Sequence, residues 1–339
     1  MTDNEVEDTA RSNGARSMPS ATSVATIGAG TMGHGIAFAA AAGGCPVSLF
    51  DVDDASLEEA RAKIRATAAA VADSGAYEFE TVSELTDRIE YVTALEDAVD
   101  GADLVIEAVP EDREIKLATF ERIDRHVDDD TVVATNTSSL PLDDLVEPIT
   151  APERFCGMHW FHPPHIVPVV EVVYGDATTA DTIDTASQFL REIGKDPVVV
   201  ERDVPGFIAN RIQSAMAREA WALLEAGVAS PADIDRAIKG TFGFRLPLLG
   251  AFEKGDHSGL DIHHTVLEEL LPEIDRSTSP PPVLSDLVEE GRYGAKTGRG
   301  VYDWRDADLE RISEERDRLL LEQLEVYRAA RGPPSTDRA

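Results

Sequence analysis

The chain is predicted to fold as a doubly wound, mostly parallel α/β sheet followed by a mostly α-helical second domain. Three observations carry this expectation. A strand, a glycine turn, a helix and a second strand follow one another between Val24 and Asp51. Short apolar runs then alternate with helical spacing as far as Val200, and strand character is lost after Asp203.

The first unit is the most informative. Val24 to Ile27 is a short apolar run, and Gly28, Gly30 and Gly33 follow it as G-x-G-x-x-G ahead of an Ala-rich helix that Gly43 and Gly44 can stop. In a Rossmann-type unit such glycines close the turn, let the backbone approach a pyrophosphate and let the helix pack near the strand. The free N–H groups at the helix start then face the phosphates. A second apolar run ends at Asp51, whose carboxylate can accept hydrogen bonds from ribose hydroxyls and would repel a 2′-phosphate, which favours NAD over NADP. Gly28, Gly30, Thr31, Met32, Gly33 and Asp51 are the cofactor-binding candidates of this unit.

Farther along, Ala55 to Ala72 reads as a helix rich in Ala, Glu and Arg. Ile89 to Thr93 and Leu104 to Ala108 read as strands, the second as an apolar run expected to be buried on both faces. Helical spacing returns from Ile115 to Arg125, and Val132 to Thr135 is the next strand. Phe155 to Trp160 and Val169 to Tyr174 are two more, separated by Pro163, Pro164 and Pro168; Thr182 to Ile193 is a helix and Pro197 to Val200 a last short strand. Asp203-Val204-Pro205-Gly206 is a linker-like break. Beyond it, Ser230-Pro231-Ala232-Asp233 makes a helix start with a capping Ser and a Pro in the first turn. Leu309 to Arg331 is a charged amphipathic helix carrying Ile312, Leu319, Leu320, Leu324 and Tyr327, able to pack on the body or on another subunit. Four segments are expected: a disordered acidic tail at 1–21, a NAD-binding domain at 22–203, a helical domain at 204–306 that the family resemblance given below marks as the substrate and dimerisation domain, and the amphipathic helix with a tail at 307–339.

Composition narrows the partners. A chain of 339 residues can bury a large core, and its 31 basic and 64 acidic residues leave a net charge of −33, which argues against nucleic acid and anionic membranes. The acids are spread along the chain, the pattern of a surface biased toward solubility, as in a cell with molar internal salt, rather than of a docking site for one cationic partner. Cys45 and Cys156, the two cysteines, lie in apolar runs as small core residues and make no disulfide framework. With no long apolar span and no basic-then-apolar leader, a soluble cytoplasmic protein is expected.

Three stretches hold the remaining chemistry: Asn136-Thr137-Ser138-Ser139-Leu140, Met158-His159-Trp160-Phe161-His162-Pro163-Pro164 with Glu171, and Val204-Pro205-Gly206-Phe207-Ile208-Ala209-Asn210-Arg211. Oxidising a secondary alcohol with NAD needs a base for the hydroxyl proton, a task suited to His near neutral pH. A carboxylate on the other imidazole nitrogen fixes the tautomer and stabilises the imidazolium. His159 and Glu171, on two apolar strands, can supply that pair, although a His on an apolar strand is more often a packed core residue. His263, His264 and Glu268 lack a third ligand pattern, so a solvated helix face and no metal is expected there.

With these stretches the sequence resembles the L-3-hydroxyacyl-CoA dehydrogenase family from about Val24 to Trp304. The resemblance includes Glu107-Ala108-Val109-Pro110-Glu111 with Lys116, Gly259-Leu260-Asp261, and Lys296-Thr297-Gly298-Arg299-Gly300-Val301-Tyr302. It implies His159 as catalytic base with Glu171 as its partner, Ser138 and Asn210 as donors near the substrate oxygen, Glu111 and Lys116 on the cofactor side, and a homodimer acting on a small-molecule substrate. On the residues alone, Ser138 and Ser139 also fit a turn ahead of Pro141. Asn210 likewise fits an ordinary early helix position, and Glu111 and Lys116 fit solvated helix charges.

Three departures bear on the substrate. His162 stands where the family usually has Asn, a bulkier donor that can titrate, or mere packing beside Trp160 and Phe161. Only Arg61, Lys63 and Arg65 are basic where relatives acting on CoA thioesters are Lys-rich, leaving fewer cations for a 3′-phosphate. Arg245 resembles the arginine of relatives that oxidise small free hydroxy acids such as L-gulonate or L-carnitine, and a guanidinium can grip a free carboxylate; a surface ion pair is the plainer reading. The first expectation is oxidation of L-3-hydroxyacyl-CoA with NAD. The second is the same chemistry on a small free 3-hydroxy acid anchored by Arg245, and the third a non-catalytic NAD-binding protein on the same fold.

Overall fold

The computed structural model describes residues 22–331 apart from residues 73, 74, 78 and 80. The acidic segment 1–21 and the tail after 331 lie outside the described residues. Eight strands form one sheet: β1 (Val24–Ile27), β2 (Val47–Phe50), β3 (Ile89–Val92), β4 (Leu104–Glu107), β5 (Val132–Thr135), β6 (Phe155–Trp160), β7 (Val169–Val173) and β8 (Asp196–Val200). Their spatial order is β3-β2-β1-β4-β5-β6-β7-β8. β1 to β6 are parallel, β7 returns antiparallel to β6, and β8 lies parallel to β7.

Short strands with near-continuous apolar character are what a sheet covered on both faces requires. Val24 of β1 joins a core built with the helices Gly33–Ala42, Asp54–Val71 and Ala180–Glu192, through Ile36, Leu57, Ile64 and Phe189. Ala25 and Ile27 join the opposite core, with Leu95, Phe120, Ile123 and Leu145 from the helices Leu95–Val99, Arg113–Asp124 and Leu142–Leu145. The alternation of β1 between two cores is the doubly wound arrangement itself. Cys45 and Cys156 are both free and buried, and burial pushes the Cys156 thiol up to about 12.

Two details depart from the sequence reading. Three helices begin earlier than their apolar spacing suggests, because the capping residues stand upstream: Asp53 accepts from Ala55 N, Asp112 from Glu114 N and Ile115 N, and Thr179 from Thr182 N. Of the run Leu104 to Ala108, Leu104 to Glu107 are buried as expected and Ala108 is half-buried, and the run is not wholly apolar, since Glu107 ends β4 with no exposure.

After Pro205 the chain is helical: Ala209–Glu225, Pro231–Gly240, Phe242–Arg245, Ala251–Ser258, Leu260–Leu270 and Pro282–Glu289. Ser230 caps the second of these by accepting from Asp233 N at 3.2 Å. Of residues 206–304 only Phe207, Gly255 and Gly300 are buried, and Phe252 and Phe244 are 89% and 76% exposed. The helix Leu309–Arg331 packs back on the sheet domain, with Leu324 buried and Leu321 against the first core. No described helix is long and apolar enough to cross a membrane.

Candidate active site

The carboxyl ends of β1, β4, β5 and β6 open into one cleft of about 820 Å³ that gathers Gly28, Gly30, Thr31, Met32, Asp51, Glu111, Ser138 and His159. Ligand crevices of open α/β sheets form at this end of the strands.

The glycine turn is shaped by contact on two sides and left open on the third. Gly28 adopts φ +106°, and a Cβ there would lie 2.8 Å from the Ala108 carbonyl oxygen. A Cβ on Gly33 would meet the Gly28 oxygen at 1.7 Å, so the helix can approach β1 only without a side chain. At Gly30 nothing lies within 4 Å of that position. The helix Gly33–Ala42 has no side-chain cap and no acid in its first turn, which leaves its orphan N–H groups for an anion. Asp51 accepts from Ala29 N at 2.9 Å and from Asp53 N at 3.1 Å, holding its carboxylate at the cleft wall with lone pairs to spare. The free space over Gly30, the uncapped helix start and the fixed acid together fit NAD.

Beneath the cleft floor lies a buried charge cluster. Lys116 Nζ donates to Glu107 at 2.7 and 2.9 Å and sits 3.4 Å from Glu111 Oε2. Thr135 Oγ1 and Val109 N also donate to Glu107, at 2.6 and 2.7 Å. Burial pushes the Glu107 carboxyl up, and the Lys116 ammonium opposes it. The reading of Lys116 as a solvated helix charge is corrected: it is wholly buried and meets the cleft only through Glu111. Glu111 accepts from Thr137 Oγ1 (2.7 Å), Ser138 N (2.9 Å), Ser139 N (3.0 Å) and Ser139 Oγ (3.1 Å). Partial burial works against its charge, but these donors and Lys116 hold its carboxyl below the ordinary range. Glu111 thereby ties down the loop that presents Ser138.

His159 and Glu171 are cross-strand partners in the β6–β7 register. His159 Nδ1 meets Glu171 Oε2 at 2.7 Å, and both are buried. The other carboxylate oxygen accepts from Ile208 N (3.0 Å) and Ala209 N (2.9 Å), at the start of the helix Ala209–Glu225. Glu171 therefore bonds the imidazole and the second domain at once. Phe161 and Phe207 flank the ring at 4.4 and 5.4 Å between centroids. Phe207 holds φ +48°, a left-handed conformation that costs about 1–2 kcal/mol for a side-chain-bearing residue. Those two bonds to the residues after it oppose that cost.

The remaining candidates lie apart from the cleft lining. Asn210 follows Ala209 but faces a separate hollow of about 410 Å³ with Arg211, Ser214 and Arg218. His162 is exposed rather than buried beside Trp160 and Phe161, and partial burial with Arg316 nearby draws its pKa down. Arg245 is exposed, donates to the Thr241 carbonyl at 3.3 Å, and has no ion pair among the described residues. His264 and Glu268 form an exposed pair at 3.3 Å, and the described residues hold no cluster of three metal-ligating side chains.

Sequence reasoning placed Asn136 in a chemistry-bearing stretch but gave it no role; it lines the cleft and accepts from Trp160 N at 2.9 Å, stapling β5 to β6 beside His159. Its place just past the end of β5 was the available signal. Arg122, also on the cleft wall, lies 5.9 Å from the Phe50 ring centroid and gave no sequence signal beyond a helix charge.

Fold and cleft together define a NAD-binding oxidoreductase. Residues 23–204 match the model of the 3-hydroxyacyl-CoA dehydrogenase NAD binding domain, and residues 206–304 that of the 3-hydroxyacyl-CoA dehydrogenase C-terminal domain. The chain is 37% identical over 298 residues to 5-formyl-3-hydroxy-2-methylpyridine 4-carboxylate 5-dehydrogenase of Mesorhizobium japonicum, covering 88% of this chain and 96% of that protein. It is 34% identical to a probable 3-hydroxybutyryl-CoA dehydrogenase of Bacillus subtilis, over 84% of this chain and 97% of the relative. A crystal structure of the pyridine-carboxylate enzyme, described as an NAD+ dependent dismutase, superposes with a TM-score of 0.85 at 34% identity, covering 91% of this chain and 99% of that one. The chain belongs to the 3-hydroxyacyl-CoA dehydrogenase family, whose members are NAD-dependent oxidoreductases acting on CH–OH groups.

Proposed function

We propose that the protein oxidises L-3-hydroxyacyl-CoA to 3-oxoacyl-CoA with NAD, using His159 as base and Glu171 to orient it. The carrying observation is the buried 2.7 Å contact between His159 and Glu171 at the wall of the cleft that begins at the glycine turn. A carboxylate only accepts, so Nδ1 carries the proton and Nε2 is left to take the hydroxyl proton. Bound NAD supplies the acceptor for the hydride. Ser138, on the Glu111-anchored loop at the cleft wall, donates to the substrate oxygen; Asn210, which faces the separate hollow, takes no part in that donor set. The imidazolium formed on His159 is stabilised by Glu171.

A second reading keeps these roles but uses a small carboxylated substrate. Two observations favour it: Arg61 is taken up by Glu58 and the Tyr91 ring and Lys63 by Glu59, and a similar protein is named for a pyridine carboxylate. Parallel rates in molar salt on 3-hydroxybutyryl-CoA, gulonate, carnitine and 5-formyl-3-hydroxy-2-methylpyridine 4-carboxylate decide. The CoA reading expects the thioester to give the highest kcat/KM and Arg245→Ala to leave it unchanged. A free acid as best substrate, with a loss in Arg245→Ala, gives the assignment to the second reading.

The exposed apolar side chains of the helical domain, Phe252 and Phe244 among them, are read as the face that pairs with a second copy. Light scattering should return twice the chain mass; a monomer at working concentration contradicts that part.

A further inference from the structure

Residues 161–168 join the strand of His159 to the strand of Glu171, and a buried and a half-buried side chain hold three carbonyls of this connection. Lys195 Nζ donates to Pro164 O at 2.7 Å and Val167 O at 2.9 Å and lies 5.7 Å from the Trp160 ring centroid. The Tyr77 hydroxyl donates to His165 O. Lys195 is only 5% exposed and has no ion pair among the described residues; burial, with Arg328 adding to it, draws its ammonium down to about 7. A buried cation without a counter-ion is costly, so its two carbonyl bonds are structural necessities for it. The connection also touches the nucleotide unit: a Cβ on Gly35 would meet Pro164 Cγ at 2.5 Å.

Both donors are flanked by anchors from the helix Leu309–Arg331. The Tyr327 hydroxyl donates to Asp196 Oδ2 at 2.7 Å, next to Lys195, and Arg328 Nη2 donates to Ala76 O at 3.0 Å, next to Tyr77. Leu324 of the same helix is buried. This helix starts beyond residue 304, where the match to the family's C-terminal domain ends.

We propose that the C-terminal helix is a brace for the substrate side of the cleft. Tyr327 and Arg328 hold Asp196 and Ala76 in place, these keep Lys195 and Tyr77 aimed at the 164–167 backbone, and that backbone sets His162 and the spacing of His159 against Glu171. Tyr327, Arg328, Lys195 and Tyr77 are thus positioning residues. The proposal deepens the dehydrogenase reading and rests on it for its kinetic part.

The test compares the full chain with a chain ended after Asp308 and with a Tyr327→Phe, Arg328→Ala double variant. Hydrogen exchange at the amides of residues 162, 165, 166 and 167, NADH affinity by fluorescence, and KM and kcat are read on each. Exchange should rise at least about tenfold at those amides and kcat/KM should fall by about tenfold, since small misplacements at a reacting centre are costly, while NADH affinity stays unchanged. Arg328→Lys with Tyr327 retained should restore most of the loss. Unchanged exchange and unchanged kcat/KM in both variants, even with a lower melting temperature, overturn the brace. If neither the full chain nor any variant turns over a substrate, the dehydrogenase reading fails while exchange still decides the brace; if the shortened chain does not fold, the double variant decides.

Discussion

Replacing His159 with Ala should lower kcat by about 10²–10⁴-fold, the range for a positioned general base, while NADH still binds with native affinity. The elements proposed to hold the cofactor are the glycine turn, the uncapped helix start and Asp51, and none of them leans on the imidazole. Glu171 keeps its two bonds from Ile208 N and Ala209 N, so the second domain stays attached. Stopped-flow turnover together with NADH fluorescence separates the two effects. A His159→Ala protein with full activity would remove the base from the account, and one that no longer binds NADH would show that the lesion was structural.

Glu171→Gln should be damaging on two counts. The carboxylate accepts three donors at once: His159 Nδ1, Ile208 N and Ala209 N. An amide has one accepting oxygen and a donating NH2, so it must present the wrong end either to the imidazole or to the backbone. Facing the imidazole, it selects the tautomer protonated on Nε2, which cannot take a proton, and losses up to about 10⁴-fold in kcat follow the pattern seen when an orienting carboxylate is replaced by its amide. Facing the helix, it leaves two partly buried N–H groups unmet, at up to roughly 1 kcal/mol each. Loss of activity should therefore come with a lower unfolding midpoint in denaturant. Native kcat in Glu171→Gln would contradict the orienting role.

How much of this was legible varies with the range of the interaction. The order of strands and helices followed from local patterns, because most strands are short apolar runs and several of the turns carry a glycine or proline. The His159–Glu171 contact needs only the knowledge that β7 folds back on β6, after which the register places the two opposite each other. Glu107 was hidden because its partner, Lys116, lies across a turn and into a helix, and a single acid in an apolar run carries no sign of how it is satisfied. Asp53, Asp112 and Thr179 show the same limit on a smaller scale: apolar spacing locates a helix body, whereas its first turn belongs to the cap. The docking of Leu309–Arg331 could not be read at all. Its apolar residues fit either the body or another subunit, and only the meeting of Tyr327 with Asp196, 131 positions away, picks the body.

The account turns on the imidazole of His159, steadied by Glu171, facing the reactive end of a cofactor whose phosphates rest on the glycine turn. A crystal structure of the protein with NADH tests this directly. The expected result is the pyrophosphate over Gly30 against the first turn of the helix Gly33–Ala42, the adenosine ribose on Asp51, and the nicotinamide C4 facing His159 Nε2. A cofactor seated elsewhere, or a nicotinamide whose C4 is turned away from His159, would contradict it.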